Sequence, residues 1–222
     1  MKKTITLILL LFSISIFAQK KVIDQNELMS DLWKWNKHND NDMTGTLWIP
    51  SSYWRIALTN SPDVTPETID LIEESFKDYV LICALKMEQI SNGTNVRFDS
   101  EEIIRKNILI KDINGRVFKP IPDEEVELST RMLLSNLKPF FAQTLGKMGQ
   151  GMHFYIFEVK DSSGVNIINE YEEGEFSVLH SGNEVKWDLP LSSLIDDKIC
   201  PIDNEAMNGK WKFCPFHGNE LK

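Results

Sequence analysis

The sequence predicts an α+β protein: an antiparallel β-sheet or β-sandwich core with inserted helices. Two apolar-rich runs flank Asn114-Gly115 and two alternating runs flank Ser181-Gly182-Asn183, both hairpin signatures. Helical spacing recurs in segments 24–36, 66–78 and 122–145, but these do not alternate one-for-one with the strands. That order argues for an α+β arrangement over a parallel, doubly wound sheet.

The elements follow in order. Asp24 can cap a helix with Glu27 three residues on, and Leu28, Leu32 and Trp35 recur on one face, predicting a helix over 24–36. The stretch 38–45 is polar and turn-rich. Trp48, Tyr53 and Trp54 bracket Pro50; such a cluster either stacks on sugars or covers the open end of a core, and the area that aromatic rings bury favours the core. Thr65-Pro66 offers an N-cap and a first-turn proline, followed by Ile69, Ile72 and Phe76 at helical spacing. The near-continuous apolar run 79–87 reads as a strand buried on both faces, with Cys83 as a small hydrophobe in its middle.

Asn114-Gly115 predicts a type I′ turn, because both residue types tolerate positive φ. Segment 122–145 carries acids in its first turn and apolar residues in helical repetition, and Pro139 predicts a kink or a division into two helices. Gly146, Gly149 and Gly151 stand between this helix and a strand at 153–160. A phosphate cradle needs the order strand, glycines, helix, so this loop is a C-cap and turn. Tyr155, Phe157 and Val159 share one strand face while Glu158 and Lys160 take the other, and His153 is expected to be structural. Phe176 and Val178, then Val185, Trp187 and Leu189, alternate about the second hairpin turn. Ser181 therefore lies in a turn and has no nucleophile's strand-to-helix elbow.

Residues 1–18 combine Lys2 and Lys3 with an uncharged, largely apolar run ending at Ala18, which predicts a cleaved secretory signal peptide. The run is shorter than the roughly 20 residues a spanning helix needs, and no cysteine follows it to carry a lipid, so no stable membrane anchor is expected. The chain has 33 Asp+Glu against 24 Lys+Arg, a net charge of −9, and losing two lysines takes this to −11. A protein this acidic, with no basic run, is not expected to bind nucleic acid. The sequence thus reads as an exported protein, periplasmic or extracellular, with a sandwich-like domain over 19–197 and a small tail over 198–222.

The tail carries the densest chemistry. Cys200 and Asp203 form C-x-x-D, ten residues intervene, and Cys214 and His217 form C-x-x-H followed by Gly218. A two-residue gap lets both side chains of a tight turn reach one ion, and the proline after each cysteine stiffens the turn. The segment WKFCPFHGNEL resembles the second knuckle of a zinc ribbon, with His217 replacing its usual final Cys; the first knuckle departs in having Asp203. The resemblance spans about 23 residues and implies one structural zinc held by Cys200, Asp203, Cys214 and His217, all acceptable ligand types. An oxidising compartment opens a second reading, in which a Cys200–Cys214 disulfide closes a 15-residue loop worth about 3 kcal/mol and leaves Cys83 as the odd thiol. A Cys/His catalytic pair is disfavoured because no third residue orients it.

No catalytic or cofactor-binding residue can be singled out. The sequence has no H-E-x-x-H, G-x-S-x-G, Rossmann or P-loop pattern. The expected role is an exported, non-catalytic protein binding a partner protein, a glycan or a small molecule. The alternatives are an envelope hydrolase using carboxylates or the C-terminal metal, and an assembly subunit recognisable by a large exposed apolar patch.

Overall fold

A computed structural model describes residues 23–39, 41–90 and 95–222. The expected signal peptide lies outside these residues. Mixed helices and antiparallel sheets make the fold α+β. No helix among the described residues is long and apolar enough to cross a membrane.

The first helix is shorter than its periodicity suggests. Asp24 caps α1 (Gln25–Leu32) through its carboxylate, which accepts from the Asn26 and Glu27 backbone N–H groups. Leu28 and Leu32 are buried as expected, but Trp35 is not on that face. The chain turns extended at Trp33 and runs as β1 (Trp33–Asn39) against β2 (Asp42–Ile49), so most of the turn-rich stretch 38–45 is a hairpin. Tertiary pairing overrides the i, i+7 spacing here: Trp35 lies opposite Gly45, and its ring occupies the place where a Cβ on Gly45 would sit, 2.7 Å away.

Pro50 precedes α2 (Ser51–Leu58), and Thr65 caps α3 (Pro66–Phe76) with its hydroxyl accepting from the Thr68 N–H. The long β3 (Tyr79–Ile90) pairs with β2 along one edge. Its other edge is shared end to end by β4 (Asn95–Phe98) and β7 (His153–Glu158). Between those two come α4 (Glu101–Arg105), β5 (Leu109–Lys111), β6 (Val117–Phe118), α5 (Leu128–Leu145) and the single turn α6 (Lys147–Gln150). A second sheet has the order β6-β5-β8-β9, with β8 (Gly174–His180) and β9 (Asn183–Leu189) as the predicted terminal hairpin.

One core joins the two sheets. Trp48 of β2 meets Phe176 and Trp187 of the second sheet edge-on, at 4.7 and 6.4 Å between ring centroids. On the same face of β2, Thr46 bonds the buried His180 at 2.7 Å. Residues of opposite parity meet helices. Phe154, opposite Cys83 in the ladder, packs against Phe141 of α5, and Trp54 of α2 stacks on Phe76 of α3. Trp48 and Trp54 are therefore core, which removes the sugar-stacking reading of that cluster. Cys83 is wholly buried, and burial pushes its thiol well above the ordinary range.

Three local expectations are refined. Gly115 alone takes positive φ at its turn, with its N–H bonded to the Asp112 carbonyl, so the connection is a longer turn ending in a left-handed glycine and not type I′. The type I′ turn is the other one, where Ser181 (φ 51°) and Gly182 (φ 80°) are both left-handed. Helix α5 continues through Pro139 and ends at Gly146, whose φ of 58° confirms the C-cap. Gly149 is demanded by packing: a Cβ there would lie 1.9 Å from the Phe141 carbonyl oxygen.

Candidate metal centre

The tail begins with β10 (Lys198–Ile199), which pairs with β11 (Ala206–Met207). Ile199 also exchanges backbone bonds with Lys222, and Phe213 bridges Glu220, so the tail is a small ribbon with two tight turns. Its buried residues, Cys200, Met207, Cys214 and Leu221, form a cluster separate from the main core. Two apolar side chains besides the cysteines are a slender core for a segment of this length.

The two turns are built alike. In the first, the Cys200 N–H bonds the Glu205 carbonyl at 2.9 Å and the Asn204 N–H returns to the Cys200 carbonyl at 2.9 Å. In the second, the Cys214 N–H bonds the Asn219 carbonyl at 2.7 Å and the Gly218 N–H returns to the Cys214 carbonyl at 2.8 Å. Asn204 (φ 62°) and Gly218 (φ 70°) take the same left-handed conformation. The repeat is C-P-x-x-[N/G]. Asn204 thus does in the first turn what Gly218 does in the second, and asparagine is among the non-glycine residues that most readily take this conformation.

These turns bring Cys200, Cys214 and His217 together, with one donor atom from each all lying within 4.8 Å of one another. His217 Nδ1 is 3.4 Å from Cys200 Sγ and 3.6 Å from Cys214 Sγ. Asp203, the fourth ligand expected from the sequence, is outside this convergent group; its Oδ2 lies 3.5 Å from His217 Nδ1, while its Oδ1 accepts from the Glu205 N–H at 3.0 Å. The cysteines are buried; His217 and Asp203 keep about a third of their side chains exposed. No disulfide joins the cysteines, which are free thiols like Cys83.

The electrostatics separate the two sulfurs. Burial, reinforced by the neighbouring Asp203 and Cys214 side chains, raises the Cys200 thiol. Burial acts upward on Cys214 too, but the backbone N–H groups of His217 and Phe216 and the His217 and Cys200 side chains outweigh it and hold this thiol below its usual range. Asp203 is held low by the Glu205 N–H, then by the Cys200 thiol and the nearby His217.

The spacing suits a tetrahedral ion. Zn–S near 2.3 Å and Zn–N near 2.0–2.1 Å place sulfur and nitrogen ligands about 3.6 Å apart on the edge of a tetrahedron. The two observed sulfur–nitrogen distances of 3.4 and 3.6 Å match this before any ion is considered. The arrangement is compatible with a small metal site. No protein-family model, curated protein or solved structure matches the chain.

Proposed function

We propose that the C-terminal ribbon holds one zinc ion through Cys200, Cys214, His217 and Asp203, and that this ion is structural. The observation that carries the reading is the convergence of the Cys200, Cys214 and His217 donors at tetrahedral spacing. A closed set of four ligands leaves no position for substrate, and it adds folding free energy where the apolar core is small. The wider role follows from the sequence: an exported, non-catalytic protein whose α+β body binds a partner protein, glycan or small molecule. The partial exposure of Asp203 and His217 gives the hydrolase alternative its one foothold, since a displaced Asp203 would open a coordination position for water.

Metal analysis of the purified chain, with a thiol count after denaturation in chelator, tests the site. One zinc per chain and three thiols support it. No metal and a single titratable thiol overturn it in favour of a Cys200–Cys214 disulfide. Cobalt substitution then separates structural from catalytic metal: a tetrahedral spectrum unchanged by azide supports the closed site, and a spectrum that shifts with azide overturns it.

A further inference from the structure

A second feature lies on the body. A cleft of about 240 Å³ is bordered by α4, α5 and β7. Arg131, Leu134, Ser135 and Lys138 line it from α5 at i, i+3, i+4 and i+7, which places all four on one helix face. Across from them β7 contributes His153, Phe154 and Ile156, and Val126 adds a further buried apolar wall.

The charges in this cleft are unequal in standing. Arg105 is already held by Glu101 and, at 2.7 Å, by Asp123, so both lining carboxylates are committed to it. Arg131 and Lys138 have no carboxylate at ion-pairing distance among the described residues. They are exposed, and with Arg105 they set three cations against the two lining carboxylates, so the recess carries an excess of one positive charge in a chain whose net charge is −9. Such a recess attracts anions and repels cations, and its partly apolar walls strengthen the field within it. The Nε2 of His153 lies 3.1 Å from the Asp99 carbonyl, and burial, with Lys138 close by, lowers the pKa of this imidazole.

We propose that this cleft binds a small organic anion with an apolar body, the acid group held between Arg131 and Lys138 and the body against Leu134, Phe154 and Ile156. The size of the ligand follows from the cleft, which is smaller than the ~300–1,000 Å³ typical of drug-sized ligands. The proposal rests on the binding role inferred above for the body and is independent of the metal in the tail.

Calorimetric titration of the zinc-loaded chain with benzoate tests it, with inorganic phosphate and benzylamine as companions that keep only the charge or only the ring. Benzoate is expected to bind more tightly than either. The double variant Arg131→Gln/Lys138→Gln is expected to lose benzoate affinity by at least about tenfold, the scale of a charge-assisted contact, with melting temperature and zinc content unchanged. Benzoate binding that survives in the double variant overturns the cleft assignment while leaving a binding role for the body. Phosphate binding as tight as benzoate overturns the apolar body, and equal binding of benzylamine overturns the anion. Absence of benzoate binding overturns the cleft and leaves partner-protein or glycan binding as the body's role.

Discussion

Trp187 lies in the core between the two sheets, and its truncation gives a quantitative test of the packing. The side chain is 1% exposed, stacks on Phe176 at 4.9 Å with an interplanar angle of 6°, meets Trp48 edge-on, and donates from Nε1 to the Leu32 carbonyl at 3.3 Å. Burying roughly 200 Å² of indole at ~25 cal/mol/Å² is worth about 5 kcal/mol, in line with the roughly 3–5 kcal/mol that buried aromatic-to-alanine changes cost. The Leu32 carbonyl also loses its donor, adding about 1 kcal/mol. Trp187→Ala should therefore cost about 4–6 kcal/mol, much of the roughly 5–15 kcal/mol that holds a typical domain folded. Trp187→Phe keeps the stack on Phe176 and removes the donor, so its cost should be about 1–2 kcal/mol. Urea unfolding followed by circular dichroism, at saturating zinc and with the slope compared between variants, reads both numbers. A loss below about 1.5 kcal/mol for Trp187→Ala, or equal losses for the two variants, would refute the claim that Trp187 anchors this core.

Other consequences are open to measurement. Arg116 pairs with Asp112 at 2.7 Å and also with Asp161, tying together two turns of the same D-x-x-G form. Asp112 is held below its ordinary 3.8 because, although burial acts upward, Arg116 and nearby backbone N–H groups outweigh it; Asp161 is held low chiefly by Ser163, the Val165 N–H and Arg116. Carboxylates depressed in the fold stabilise it above their unfolded pKa and lose that contribution as pH falls through the folded value. Urea midpoints should thus fall steeply below about pH 4, and Arg116→Gln should lower the neutral-pH midpoint while flattening that fall; an unchanged pH profile in the variant would count against the tie. Gly149→Ala should lower the melting temperature more than Gly182→Ala, because the first drives a Cβ against the Phe141 carbonyl while the second meets only the ~1–2 kcal/mol left-handed strain. All three cysteines are buried in the fold, but chelation removes the metal's share of the small ribbon's folding free energy, so a thiol reagent should modify Cys200 and Cys214 ahead of Cys83 in the main core; equal reaction of all three before denaturation would contradict the packing of β3. Zinc retention should vanish in Cys214→Ala but only weaken in Asp203→Ala, which keeps the three convergent donors. Full zinc retention in Cys214→Ala would remove Cys214 from the site.

Local chemistry alone is enough to read much of this molecule. The Asp24 and Thr65 caps, the buried run through Cys83, the strand after Gly151 and the hairpin at Ser181-Gly182 all depend on neighbours within a few residues, where side-chain period and turn preference act directly. The tail was legible for the same reason: each C-P-x-x pair sits in one tight turn, so spacing in the chain maps onto spacing in space. Long-range packing settled the rest. Trp35 satisfies a helical repeat and yet lies on a strand, because its partner is Gly45 across the hairpin and no window along α1 contains that contact. Arg131 and Lys138 are exposed helix charges by sequence and in the fold, and only the tertiary structure sets β7 and α4 across the cleft beside them. The size of Trp48 already favours a core position, but what it packs against is settled only when Phe176 and Trp187, more than 120 positions later in the chain, arrive on its face. Periodicity says that a side chain has a face, and only the pairing of distant strands decides what that face meets.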